Sequence, residues 1–188
     1  MRDLPYTIEL SRRNGETKTF EYRRATMDDI AEIEDLQNRV YDNLPDKRIL
    51  CVATHEDLLE SLPLDPCFCV TCDGRIVAFT MAVANRICER NYGHYLGYTD
   101  EQLLKTMSFD ISFVDPEYRG FGLQADFFLL RQEACEDLGA TEGLTSIAPA
   151  NEHSLANAYK TGFEIVDTRP LYGGNERHIL RKVFNKGE

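Results

Sequence analysis

The stretch Val114-Asp115-Pro116-Glu117-Tyr118-Arg119-Gly120-Phe121-Gly122-Leu123-Gln124 permits few folds. An alternating run, Phe109-Asp110-Ile111-Ser112-Phe113-Val114, enters it as a strand, and Pro116 closes that strand. A long helical run leaves it, with Phe127, Leu130, Ala134 and Leu138 on one face and Gly139 placed to cap the end. A strand that passes into a helix through two glycines sets the unpaired N–H groups of the first helical turn at the strand's end. That is where an anion is accepted, and glycine lets it approach closely. The loop is not the Walker type, since no Gly-Lys-[Ser/Thr] follows, and it lacks the third glycine of the Rossmann fingerprint.

The remaining chain alternates between the two periods. Tyr6–Leu10 and Thr19–Arg23 read as a hairpin around Asn14-Gly15. A helix opens at Thr26 with Asp29 at its third position, and Ile30, Ile33, Leu36 and Val40 recur at helical spacing. A shorter helix follows Thr54 and ends at Pro63 and Pro66. Cys67–Thr71 and Arg75–Ala84 flank an Asp73-Gly74 turn. The segment from 85 to 106 is polar and aromatic, with a short helix expected over Thr99–Lys105. Leu144–Ala148 is a strand, Asn151–Thr161 a helix with Gly162 behind it, and Glu164–Thr168 and Arg177–Phe184 the last strands. This order predicts an α/β (α+β) fold, with one mixed sheet between helices on both faces.

Composition excludes several classes. Apolar residues form 43% of the 188, enough for a core. The net charge of −11 makes nucleic acid a poor partner, because affinity there comes from Lys and Arg. The most apolar run, 76–84, is far short of the roughly 20 residues of a spanning helix, and the first residues lack a secretory apolar region. A cytoplasmic address with no membrane partner is therefore expected. Cys67-x-Cys69-x-x-Cys72 invites a zinc site but lacks a fourth ligand nearby. Its alternation with Phe68 and Val70 reads instead as buried thiols in a strand, so no metal is expected.

The loop resembles the acetyl-CoA pyrophosphate loop of the GNAT N-acetyltransferase superfamily, [Arg/Gln]-x-x-Gly-x-[Gly/Ala]. Arg119 and Gly122 match it, and Gln124 departs from the usual small residue. Asn151-x-x-Ser154 followed by Gly162-Phe163 resembles a second family segment, and Arg24-Ala25-Thr26-x-x-Asp29 a common GNAT opening. The resemblance covers residues 20–184. It implies one GNAT-like domain over 1–188, with 1–19 as an N-terminal strand extension and a sheet that is mostly antiparallel.

The resemblance also implies chemistry. The pantetheine of acetyl-CoA would pair with the backbone at Phe113 and Val114, and its pyrophosphate would rest on N–H groups of Arg119, Gly120, Phe121, Gly122, Leu123 and Gln124. Asn151 would reach the cofactor, with Ser154 either touching it or supporting the helix start. An amine would attack the thioester directly, with the Val114 N–H serving the oxyanion. Asp110 is the first candidate base and Glu89 the second. The family's proton-donating tyrosine falls on Ala158, which leaves Tyr159, one step round the helix, as the candidate donor. The acceptor would be a primary amine of a small molecule or peptide, and a homodimer is allowed. The alternative is a non-catalytic acyl-CoA-binding or regulatory module on the same fold.

Overall fold

The computed structural model describes residues 2–184; the expected domain bounds of 1–188 also take in residues 1 and 185–188, which lie outside the described residues. The N-terminal hairpin forms from β1 (Tyr6–Ser11) and β2 (Thr17–Arg24), with Gly15 supplying the left-handed turn residue. After Thr26 the chain makes one 3-10 turn, then α1 (Ile30–Asp42). Asp29 closes the capping box on the Thr26 N–H at 2.7 Å, and Arg23 grips the same carboxylate. α2 (His55–Leu64) starts on a second capping box, Thr54 with Asp57, and runs one residue past Pro63.

Strands β3 (Cys67–Cys72) and β4 (Arg75–Val83) meet at Asp73 and Gly74, whose φ angles of 52° and 76° are those a two-residue hairpin turn needs. α3 (Asp100–Leu103) precedes β5 (Thr106–Val114), α4 (Leu123–Asp137), β6 (Glu142–Ile147), α5 (Glu152–Lys160), β7 (Glu164–Leu171) and β8 (Asn175–Val183). The sheet has eight strands in the order β1-β2-β3-β4-β5-β6-β8-β7. Every pairing is antiparallel except β5 with β6. The extension adds an edge strand, and its Tyr6 stacks on Tyr22 at 4.9 Å.

Two features of β5 place the site. First, its parallel ladder with β6 runs only from Thr106↔Glu142 to Phe109↔Thr145; beyond that the two strands part. Second, Met81 of β4 pairs with Ile111 and Ala82 with Phe109, so Asp110 is an extra residue, a β-bulge. Strand neighbours two apart normally share a face. Across the bulge they do not: Met107 and Phe109 pack toward α4 and α5, whereas Ile111 and Phe113 pack toward α1 and α2.

Cys67 and Cys69 lie in the α1/α2 core, while Phe68 and Val70 point to the opposite one. Burial pushes the Cys67 thiol up to about 12, which suits a packed thiol rather than a metal ligand. Helix α4 has two buried sides. Phe127, Leu130 and Ala134 meet β2 and β3, and Phe128 and Cys135 meet β5 and α5. Leu138, expected on its core face, is exposed.

Candidate active site

A cavity of about 420 Å³ opens where β5 and β6 part. Thr145 closes its apex by donating to the Phe109 carbonyl at 3.0 Å. Its outer wall is the segment 49–53 and the loop between β7 and β8, and Arg177 ties one to the other. Its Nη1 donates to the Ile49 carbonyl at 3.1 Å and its Nη2 to that of Arg48 at 2.7 Å, with Tyr172 beneath the guanidinium.

Asp110 projects into this cavity because the bulge turns it there. Arg90 Nη2 donates to Oδ2 at 2.6 Å, and the Tyr92 hydroxyl donates to Oδ1 at 2.8 Å. The Tyr172 hydroxyl donates in turn to that of Tyr92 at 2.9 Å. The segment 85–98 is held in place for this by Asn91, whose buried amide donates to the carbonyls of Arg86, Leu103 and Thr106 and accepts from the Gly93 N–H. The Tyr92 N–H then reaches Ser108 Oγ at 2.8 Å. Arg90 is steadied from the other side by Ser61 Oγ at 2.7 Å. Burial and the Asp110 charge drive the Tyr92 phenol well above its ordinary value. The Tyr172 phenol is pushed up to about 12, chiefly by burial. Both remain protonated at neutral pH.

The glycine loop lies outside the cavity and leads directly into Gln124, which lines it. Gly120 and Gly122 both have φ +88°, and a Cβ at Gly122 would meet nothing within 4 Å. The side chains of Phe121 and Leu123 anchor the loop in the core, Phe121 against Phe20 at 5.1 Å, and Arg12 of the N-terminal hairpin covers the Phe121 ring at 4.7 Å. Gln124 spans two helices: its Nε2 donates to Ser154 Oγ at 3.3 Å and its Oε1 accepts from Asn157 at 3.0 Å. Asn151 caps α5 by accepting from the Ser154 N–H. The larger residue at 124 is thus a helix-to-helix strut.

Of the expected site residues, Asp110, Glu89, Gln124, Asn151 and Ser154 line the cavity together. Phe113 packs into the α1/α2 core and Val114 against the opposite one, so neither side chain lines it. Arg119, Gly120, Phe121, Gly122 and Leu123 form the loop outside it. Tyr159 is a correction. Helix α5 buries Ser154, Leu155 and Ala158, and one further residue turns the side chain by about 100°, leaving Tyr159 49% exposed and off the cavity. The phenols that do reach the cavity are Tyr92 and Tyr95, from a 3-10 turn between β4 and α3, and Tyr172, from the β7–β8 turn; Arg90 and the wall at 49–53 likewise come from connections between the main elements. The signs of them in the sequence were the aromatic stretch at 89–98 and, through the family resemblance, the connections at 43–53 and 170–176 as walls of an acceptor pocket.

No protein-family model matches the sequence, and no curated protein is similar to it at the sequence level. Solved structures are similar in fold. A GNAT-family acetyltransferase from Streptococcus pneumoniae superposes with a TM-score of 0.67 at 16% identity, covering 88% of this chain and 99% of that one. The ribosomal-protein-S18-alanine N-acetyltransferase from Escherichia coli gives 0.65 at 16% identity, over 90% and 97%. The PaiA N-acetyltransferase from Thermoplasma acidophilum, solved in complex with coenzyme A, gives 0.61 at 14%, over 88% and 99%. The chain has the GNAT fold.

Proposed function

We propose that the protein is an acetyl-CoA-dependent N-acetyltransferase acting on the primary amine of a small-molecule or amino-terminal acceptor. The observation that carries this reading is the parting of β5 and β6 directly behind a glycine loop at a helix start, with a carboxylate at the point of divergence. An extended amide arm fits an opened sheet edge, and a pyrophosphate fits a helix N-terminus. Among the described residues the buried Ser112 Oγ has no partner in this cleft, as a site built to meet further polar groups would leave it.

In this reading residues 119–124 hold the pyrophosphate, while Asn151, Ser154 and the backbone at 113–114 hold the arm. Acetyl-CoA, when bound, supplies an acyl thioester. Asp110 takes the proton of the acceptor ammonium, so that the neutral amine attacks the carbonyl, and the Tyr92 hydroxyl orients Asp110 as it does so. Glu89 is the second candidate base. Tyr172, in place of Tyr159, gives a proton to the leaving thiolate and lies one hydrogen bond from Tyr92. A single domain, a cytoplasmic address and no nucleic-acid partner belong to the same reading; no described helix is long and apolar enough to cross a membrane.

A second reading, a CoA-binding module without turnover, is favoured by one observation: both Asp110 oxygens are already engaged by Arg90 and Tyr92. Release of free thiol from acetyl-CoA across a panel of amines separates the two. Turnover that is lost in Asp110→Asn supports the enzyme, whereas tight CoA binding with no thiol released on any amine supports the module.

A further inference from the structure

Arg131 heads the fully buried side chains by size, at 2% exposure. It lies on α4 nine residues beyond Gly122, about 13.5 Å along the helix at 1.5 Å per residue, and it lines the cavity. Its Nε donates to the Phe127 carbonyl of its own helix at 3.2 Å. The guanidinium carbon sits 4.6 Å from the Phe109 ring centre and 4.9 Å from that of Phe128. Among the described residues it makes no ion pair, and its Nη groups have no hydrogen-bond partner. Asp110 shares the cavity, but its oxygens are taken by Arg90 and Tyr92.

A cation in such a place is costly, since aromatic faces recover only part of its lost hydration. A methionine or leucine would fill the same space without that cost. Burial draws the Arg131 guanidinium down to about 10, so it still carries its charge at neutral pH. A planar fork of N–H donors on a buried side chain that lines a cavity is complementary to a carboxylate. The unpartnered Ser112 Oγ lines the same cavity as a further donor.

We propose that Arg131 is the seat for a carboxylate carried by one of the two reactants. The carboxylate is either the free end of a dicarboxylic acyl group on CoA or that of an amino-acid acceptor. The proposal rests on the acyltransferase reading and narrows its substrates.

The test has a donor arm and an acceptor arm. In the first, titration calorimetry compares CoA, acetyl-CoA, malonyl-CoA and succinyl-CoA. In the second, thiol release from acetyl-CoA compares tyrosine with tyramine and lysine with cadaverine. The wild type should favour the carboxylate-bearing member of one arm by about tenfold or more. Arg131→Met should bring that ratio near one, and Arg131→Lys should restore it only in part, because an ammonium cannot form the fork. The ligand-free Arg131→Met protein should melt no lower than wild type, whereas a purely structural arginine would lower its Tm. Equal treatment of charged and neutral members in both arms of the wild type overturns the proposal, as does a preference that survives Arg131→Met. CoA and its thioesters all failing to bind would overturn the acyltransferase reading and this proposal together. Binding and turnover without charge preference would overturn only the role of Arg131.

Discussion

Two glycines at opposite ends of one helix offer a matched test of the loop. Gly122 precedes α4 at φ +88°, and Gly139 follows it at φ +78°. A Cβ built on either meets nothing within 4 Å, so alanine at either site brings backbone strain without a clash. Left-handed backbone costs a non-glycine residue roughly 1–2 kcal/mol, and the stiffer unfolded chain returns about 0.4–1 kcal/mol. A net loss of about 1 kcal/mol lowers Tm by roughly 2–4 °C in a chain of this size. Gly122→Ala and Gly139→Ala should therefore melt alike in a thermal scan. They should part in calorimetry with CoA. The new methyl at 122 enters the open space at the helix start, where one or two charge-assisted N–H contacts are lost. At about 1.5–3 kcal/mol each, the affinity falls at least about tenfold. Gly139→Ala, at the far end, should bind as wild type. Equal CoA affinity in the two variants would refute the placing of the pyrophosphate, because the strain is common to both.

Asp110→Asn should lower kcat by about 10²–10⁴ while CoA binding persists, checked by stopped-flow thiol release against calorimetry. Arg90→Met should reduce stability by about 1–3 kcal/mol, read from urea midpoints, since it strands a half-buried carboxylate with one phenol as partner. Tyr172→Phe should lower kcat more than KM and leave Tm within a few degrees; an unchanged kcat would remove Tyr172 as proton donor. The Arg23 hydrogen bonds hold the Asp29 carboxyl below its ordinary value. Its contribution is then fully present above the unfolded value near ~4 and is lost as pH falls through the lower folded value. Urea midpoints of wild type and Arg23→Met should differ at pH 6 and draw together as pH falls through the lowered Asp29 value.

Local chemistry made much of the fold readable. Asn14-Gly15 and Asp73-Gly74 fixed two hairpins, the capping pair Thr54 with Asp57 fixed a helix start, and alternation across Cys67–Val70 fixed a strand buried on both sides. The glycine loop and the position of Asp110 were readable for the same reason. The bulge was not, because it is a mismatch between two strands and leaves no mark on β5 alone. Arg131 was not readable either. In sequence it is a charged residue on a long helix, and only the packing of α4 against two clusters turns it inward. Tyr159 failed by one residue of helical phase, a precision that a motif match does not carry. The cavity's arginines come from a loop (Arg90), a helix (Arg131) and an edge of the last hairpin (Arg177), which converge only in three dimensions.

The bulge at Asp110 also bears on how this protein can change. Because one supernumerary residue hands β5 from one hydrophobic core to the other, deleting it would send Phe109 and Met107, or else Ile111 and Phe113, to the wrong side of the sheet. The residue proposed for chemistry is therefore also the phase marker of the central strand. Its side chain can be exchanged for another, but its place in the chain cannot be given up. Drift at this site is confined to substitution, and new acceptor specificities are left to the cavity walls at 49–53, 85–98 and 172–174.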